Sequence, residues 1–405
     1  MVTLITLVHF MKFGHKPIIV IGGATGRLGD PSWRTSERLD LQEKVLLENI
    51  TGIRRDIANF FNNSMNFVKT KNLIVKNTEG GGQNCAYSNN MGSDISFPEE
   101  LKILNNYDWY TNFNPISFLS LVGKHFRLSN MLARECIKTR LFVGEGATLS
   151  ELCYQVFQAY DFLHLFCTHQ CEFQIGGDDQ FGNIVGGTEL VRKVTGYSVH
   201  GVTNPLLTNK NGEKLGKSAG NSIWLNAEKT SPYYFYQYFL NVSDDEVEYL
   251  LKVLTLLPLD EIQFIVKAHL AEPEKRLAQQ ALSEHLTFLV HGGRGLRQAK
   301  SVTSILFSGN LENLSVDELR TVFKCFPTVF LPKELLQRPL TVLDLAPRMN
   351  LSKGAVRRLL ASKGLYLNNK TVNSANPQVT TRDLLHHQFT IIRIGRKNFY
   401  FFEWS

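Results

Sequence analysis

The sequence predicts an α/β protein in which a mostly parallel sheet is followed by an α-helical segment and then by a small α+β module. Three observations support this. A strand at Pro17–Ile21 runs into the glycine-rich loop GGATGRLGDPS and a helix starting near Leu41, and strand, glycine loop and helix in succession mark an α/β nucleotide-binding layer. A long helix from Leu149 to about Cys167 precedes the short strand EFQIGG and a helix from Phe181; such alternation predicts parallel strands with helices on both faces. From Ser231 to about Lys324 every segment turns helical.

The elements follow in order. MVTLITLVHFMKFGHKP has an apolar helical rhythm and reads as a core helix with no capping residue before it. It lacks the Arg- and Ser-rich character of a transit peptide. Asn72–Pro98 is polar and rich in Gly and Asn, which predicts a surface excursion with one short strand. About Glu99–Gly146, short apolar runs mix with aromatics and are expected to insert into the sheet. Asn211-Gly212 marks a tight turn before KLGKS. SPYYFYQYFL, DDEVEYLLKVL, LDEIQFIVKAHL and KRLAQQALSEHLTFLV each carry an apolar stripe at 3.6-residue spacing, with proline breaks at helix ends. Near the end, Ser352 precedes the basic helix KGAVRRLLAS, Lys363-Gly364 ends it, and LYLNNKTV reads as a hairpin around Asn368-Asn369.

A chain of 405 residues with 43% hydrophobic content is long enough for two or three domains. No apolar run reaches membrane-spanning length. The formal charge of +7 is concentrated: from Thr341 onward there are ten Lys/Arg against three Asp/Glu, which leaves the preceding residues balanced. A neutral body with a basic terminal module suits a polyanion such as RNA, and a merely solvated basic surface is the alternative. The six cysteines form no CxxC pair, so nothing suggests a disulfide scaffold. His164, Cys167, His169 and Cys171 crowd together without a zinc-site spacing and read as packing residues.

Four strings carry candidate chemistry. The loop Gly22–Asp30 brings backbone N–H groups to the end of a strand, where they can meet phosphate or carboxylate; a simple glycine-rich turn fits equally well. Downstream of it, Asp30 is suited to an ammonium group, and Arg34 and Arg38 to phosphates. Tyr154, Gln158 and Asp161 stand at i, i+4 and i+7 on an otherwise apolar helix, which puts a phenol, an amide and a carboxylate on one face. Buried polar groups need partners, so either a polar ligand or an internal network must satisfy them. QIGGDDQFGN follows a strand and opens a helix, at the carboxyl end where open α/β sheets bind ligands. There Gly176 and Gly177 permit close approach, Asp179 is suited to a ribose hydroxyl or to an N-cap, and Gln174 and Gln180 reach toward an amino acid. KLGKS places Lys214 and Lys217 on a glycine-containing loop, an arrangement suited to neutralising a reacting triphosphate.

Together these strings resemble class I aminoacyl-tRNA synthetases, specifically the tyrosyl-tRNA synthetases. KLGKS is similar to the family's KMSKS loop, and GGATGRLGDPS, the YxxxQAYD helix and QIGGDDQFGNI follow in the family's order and approximate spacing. The resemblance covers essentially the whole chain. It implies a Rossmann-like catalytic domain over 1–228 with a dimerisation insert at about 99–146, an α-helical anticodon-binding domain over 229–335, and an S4-like RNA-binding domain over 336–405. It further implies that Asp30, Tyr154 and Gln158 hold the tyrosine ammonium, that Asp161 accepts from the phenolic hydroxyl, and that Gln174 and Gln180 line the pocket. A site that hydrogen-bonds that hydroxyl rejects phenylalanine without editing, by the roughly 10⁴–10⁵-fold for which this enzyme family is itself the known example. Thr3, Gly177, Asp179 and Ser218 are implied ATP contacts, and Lys214, Lys217, Arg34 and Arg38 are implied to stabilise the transition state. Mg²⁺ is implied as the companion of ATP. Arg357, Arg358, Lys363 and Lys370 are implied RNA contacts, with tRNA(Tyr) as partner and a homodimer as the assembly.

KLGKSAGNSIWLN, GKHF and the ending RIGRKNFYFFEW are similar to the mitochondrial type, which implies the mitochondrial matrix as location. Two departures stand out. Met1 falls about where the family's HIGH-type motif has just ended, so the sequence predicts a chain without that motif and its preceding strand, and weakened activation or a non-catalytic RNA-binding form. Trp33 stands where the family has glycine in its DPSG-like loop.

Overall fold

The computed structural model describes residues 1–32, 42–77, 101–111, 113–142, 146–207, 223–307, 311, 315–324, 326, 328–372, 377–395 and 398–405, with the side chains of 71–77, 135–136, 318 and 321 excepted. The chain divides into two compact units, Met1–Asn226 with Val242–Gly292, and Ala227–Asn241 with Gly293–Ser405. Helix α13 (Leu277–Phe307) is broken at Gly292, where φ is 68° and ψ −178°, a conformation that a side chain would strain.

The first unit opens on α1 (Val2–Lys12), which buries Ile5, Val8 and Met11 and has no side-chain cap, as its sequence predicts. Strand β1 (Ile18–Ile21) leads through the glycine loop to the single turn α2 (Thr25–Leu28) and then to α3 (Glu43–Asn77). The polar stretch expected to leave the fold at Asn72 therefore continues as helix to Asn77; the rest of it lies outside the described residues. Strand β2 (Lys102–Asn105) pairs with β1 in parallel, Ile19 opposite Ile103. Short helices α4 (Tyr107–Tyr110), α5 (Pro115–Leu121), α6 (Leu128–Leu132) and α7 (Glu135–Phe142) fill the expected insert.

Helix α8 (Leu149–His169) begins at a capping box: the Thr148 hydroxyl accepts from the Glu151 amide, and the Glu151 carboxylate accepts from the Thr148 amide. Strand β3 (Phe173–Gly177), α9 (Phe181–Thr195) and β4 (His200–Asn204) complete a parallel β-α-β unit. A β-carbon at Gly187 would stand 3.0 Å from the Phe162 ring, so this glycine lets α8 and α9 approach closely. The parallel strands form two separate pairs, β1-β2 and β3-β4, where the sequence predicts one sheet. Phe118, Met131, Phe162, Leu190 and Val191 close the core between insert and helices.

Helices α11 (Asp244–Leu254) and α12 (Leu259–Ala271) also belong to this unit, as does the first part of α13. His291 lies there, and burial pushes its imidazole down to a pKa of about 4. An unfolded histidine titrates near 6.5. Between those values the unfolded chain binds a proton that the folded chain refuses, so stability present above pH about 6.5 is lost as pH falls toward about 4. The loss amounts to roughly 3 kcal/mol. Urea midpoints measured from pH 7 to 4.5 are expected to fall more steeply for the parent chain than for His291→Leu.

In the second unit, α10 (Pro232–Leu240) starts at Ser231, whose hydroxyl accepts from the Tyr234 amide. It joins the end of α13 and α14 (Val316–Phe323). The chain then builds a five-stranded sheet ordered β5-β9-β8-β6-β7, from β5 (Thr328–Leu331), β6 (Leu365–Leu367), β7 (Lys370–Thr371), β8 (Phe389–Ile394) and β9 (Asn398–Trp404). Alternate residues of β8 and β9 serve two cores, as the two-residue period of a strand requires. Phe389, Ile391 and Phe401 meet Val302, Leu306 and Phe323; Ile392, Ile394, Phe402 and Trp404 meet Val342, Val356 and Leu360. The latter belong to α15 (Val342–Leu345) and the basic helix α16 (Lys353–Ala361), which the Ser352 hydroxyl caps as expected. The hairpin turn falls at Asn368 and Asn369, at φ 47° and 64°, the left-handed pair that a two-residue hairpin turn needs.

Candidate functional site

The site forms where the ends of β1 and β2 meet α8. The Gly23 amide donates to Asn105 Oδ1 at 3.1 Å, and the Ala24 amide donates to Asn106 Oδ1 at 2.7 Å. Asn105 at the end of β2 and Asn106 just after it thus hold the glycine loop from the neighbouring strand. Glycine is required at position 23, since a β-carbon there would lie 2.1 Å from Asn105 Oδ1. Arg27 turns back to bond the Gly23 carbonyl and Glu43 and lies over the Tyr107 ring at 4.3 Å.

The Asn106 side chain is buried and also donates to Thr25 Oγ1 and to Asp161 Oδ2, both at 3.0 Å. Asp161 is only 6% exposed, and its other oxygen accepts from Trp109 Nε1 at 2.9 Å and from the Tyr110 hydroxyl at 2.8 Å. Burial pushes its pKa up, against the three hydrogen bonds from Asn106, Tyr110 and Trp109 that favour the carboxylate. Burial and then the Asp161 charge push the Tyr110 phenol the same way, so it stays protonated and donates. Trp109 stacks on His164 with ring centroids 4.5 Å apart, and burial, then His169, lower the His164 pKa.

A second group lies on the β3–α9 side. Gln180 Nε2 donates to Asp30 Oδ2 at 2.8 Å, while Asp30 Oδ1 accepts from the Ser32 amide at 2.9 Å. The Gln180 carbonyl in turn accepts from Asn183 at 3.2 Å. The Oε1 atoms of Gln158 and Gln174 are buried, with no hydrogen-bond partner among the described residues. A buried acceptor left unmatched costs about 1–3 kcal/mol, so these two oxygens call for a donor from a ligand or water.

Asp30 and Gln180 meet directly, and Tyr154, Gln158 and Asp161 share α8, with Tyr154 and Gln158 half-buried. Asp161 is met by an internal network, whereas Gln158 is not. Asp179 does not cap α9; Gln180 occupies that position without a side-chain capping bond, because a 3₁₀ turn over Asp178–Gln180 comes first. A β-carbon at Gly177 would stand 2.5 Å from Asp179 Oδ1, so a side chain there would displace the Asp179 carboxylate. Thr3 is half-buried in the first turn of α1. Arg34, Arg38, Trp33, the Asn211-Gly212 turn, Lys214, Lys217 and Ser218 lie outside the described residues.

In the second unit Arg357, Arg358, Lys363 and Lys370 are exposed. Nearby Arg393 lies over the Tyr366 ring at 3.8 Å. Asp344 anchors the start of this basic region: bonds from Thr341, then from Lys353 at 3.0 Å, hold its carboxyl down at about 2. Among the described residues no three His, Cys, Asp or Glu side chains converge on a metal site, and Cys153, Cys167 and Cys171 are free.

Asn105, Asn106, Trp109 and Tyr110 were missed by sequence reasoning. The rule that ligands bind at the carboxyl ends of parallel strands finds QIGGDDQ after β3, and applied to β2 it points equally to NNYDWY.

Known proteins resemble this chain over nearly its whole length. Residues 1–308 match the family of class I tRNA synthetases for tryptophan and tyrosine, and residues 318–402 match the C-terminal domain of SYY-like tyrosine–tRNA ligases. The mitochondrial tyrosine–tRNA ligase of Drosophila melanogaster is 38% identical over 403 residues, covering 98% of this chain and 82% of that protein. The mitochondrial enzyme of Homo sapiens is 37% identical over 410 residues, covering 100% and 80% respectively. The crystal structure of a C-terminally truncated mitochondrial tyrosyl-tRNA synthetase of Aspergillus nidulans superimposes with a TM-score of 0.62 at 27% identity, over 76% of this chain and 81% of that one. The chain belongs to the tyrosyl-tRNA synthetases, class I aminoacyl-tRNA synthetases that act as tyrosine–tRNA ligases.

Proposed function

We propose that this chain activates L-tyrosine with ATP to tyrosyl-adenylate and transfers the tyrosyl group to mitochondrial tRNA(Tyr) in the mitochondrial matrix. The observation that carries the reading is Asp161. It is a buried carboxylate held by three donors beyond the carboxyl end of β2, on the same helix as Gln158 and its oxygen left unmatched among the described residues. A carboxylate oxygen accepts about two hydrogen bonds, so Oδ2, with one donor from Asn106, has room for a substrate phenol. Asp30, Tyr154 and Gln158 then take the ammonium, while Gln174 and Gln180 line the pocket. In this reading Thr3, Gly177, Asp179 and Ser218 bind ATP, and Mg²⁺ enters with its phosphates. Lys214, Lys217, Arg34 and Arg38 offset the charge that develops as the tyrosine carboxylate attacks the α-phosphorus and pyrophosphate leaves.

The division into a catalytic domain over 1–228, an anticodon-binding domain over 229–335 and an S4-like domain over 336–405 belongs to the same reading, with Arg357, Arg358, Lys363 and Lys370 on the tRNA backbone. So does a homodimer through the insert, whose Ile116, Leu119 and Phe142 are 78%, 63% and 86% exposed in the single chain; apolar side chains so exposed are characteristic of contact surfaces. Charging of a mitochondrial tRNA(Tyr) transcript with tyrosine tests it. Charging is expected, with Arg357→Ala and Arg358→Ala each weakening tRNA binding and lowering its salt slope by about 1. Failure to charge that tRNA, or equal charging of unrelated tRNAs, would overturn the reading.

A further inference from the structure

We infer that Tyr110 is a positioning residue for tyrosine selection: its phenol completes the saturation of Asp161 Oδ1, so that the substrate hydroxyl is confined to Oδ2. The inference rests on the proposed role of Asp161 as acceptor for the substrate phenol. The geometry is specific. Tyr110 OH stands 2.8 Å from Asp161 Oδ1, and Trp109 Nε1 stands 2.9 Å from the same oxygen. Two donors fill the roughly two acceptor sites of one carboxylate oxygen. Asp161 Oδ2 carries only the Asn106 donor, at 3.0 Å. One acceptor site therefore remains, and it is on a known oxygen.

Tyr110 OH is also 2.8 Å from the Phe157 carbonyl. It has one proton and two acceptors, and the ionised carboxylate is the stronger of the two. That carbonyl lies one helical turn before Asp161 on α8, so the hydroxyl bridges the helix backbone and the carboxylate. Aromatic contacts fix the ring: its centroid is 4.9 Å from that of Phe157, 6.1 Å from Phe118 and 5.6 Å from Tyr160. Tyr110→Phe keeps these contacts and removes only the oxygen. The carboxylate can then turn, and Oδ1 acquires a free acceptor site that competes for the incoming hydroxyl.

The test compares Tyr110→Phe with the parent chain by equilibrium dialysis of L-tyrosine and L-phenylalanine, and by the rate of ATP–pyrophosphate exchange at saturating tyrosine. The expected result is about tenfold weaker tyrosine binding, the scale of one hydrogen bond to a charged group that the turned carboxylate no longer aligns. Phenylalanine binding and the saturating exchange rate are expected to stay within about twofold. A merely structural role would lower all three together, and that outcome, or unchanged tyrosine binding, overturns the inference. If the parent chain binds tyrosine without exchange, the selective loss of tyrosine affinity alone upholds Tyr110 while the proposed activity fails. If the parent binds neither amino acid, both fall.

Discussion

Asp161→Asn is expected to lower kcat/KM for tyrosine about 10- to 10²-fold while leaving the feeble use of phenylalanine nearly unchanged. The substitution keeps the shape and removes one acceptor oxygen together with the charge. If the amide oxygen keeps Trp109 and Tyr110, its NH₂ faces the donor Asn106 Nδ2 and the substrate hydroxyl. The turned amide sets its NH₂ against Trp109 instead. Either way a hydrogen bond to a charged acceptor is lost, and these contribute about 1.5–3 kcal/mol each. The mismatch among buried donors is also expected to cost about 1–3 kcal/mol of folding stability. Initial rates of tyrosine-dependent exchange and a urea titration measure the two effects separately. An equal fall for tyrosine and phenylalanine would mean that Asp161 supports the fold and not the choice of substrate.

Arg140→Ala is expected to be the most destabilising single change outside the site. Arg140 on α7 and Glu151 on α8 are 4% and 5% exposed and form a two-pronged pair, Nε to Oε1 at 3.1 Å and Nη2 to Oε2 at 3.2 Å. Removing the guanidinium leaves a buried carboxylate that also serves the capping box of α8. Breaking such a pair typically costs about 3–5 kcal/mol. In a unit of this size that lowers Tm by roughly 10 °C. The double change Arg140→Met with Glu151→Leu is expected to recover about half, because no buried charge is then stranded. Calorimetry on the two variants decides it; a loss below about 1 kcal/mol for Arg140→Ala would contradict the account of this pair.

The parts of the fold legible in the sequence are those whose signals are local. The start of α9 at Phe181 follows a strand and a run of turn-forming residues, and the Asn368-Asn369 hairpin rests on two residues that tolerate left-handed backbone. The YxxxQAYD face was legible as a set of groups that needed partners. Its partners were not, because Asn106 and Trp109 are 55 and 52 residues away from Asp161 and only the β1–β2 pairing brings them to it. In isolation NNYDWY reads as a polar turn with aromatics. The separation of the parallel strands into two pairs was equally hidden, since strand propensity says nothing about which neighbours meet. Asn72–Asn77 shows the opposite error: Leu73, Ile74 and Val75 read as a short strand inside a polar stretch, yet the backbone continues α3 through them, because three apolar residues alone do not distinguish strand from helix.

In the proposed function, Asp161 and the groups that hold it select tyrosine for activation. The most direct test of this proposal is ATP–pyrophosphate exchange by this 405-residue chain with tyrosine, phenylalanine and tryptophan supplied separately. Exchange with tyrosine is expected, lowered about 10- to 10²-fold by Asp161→Asn, and no more than background with the other two. Exchange that is equal for tyrosine and phenylalanine, or that is indifferent to Asp161→Asn, would contradict it.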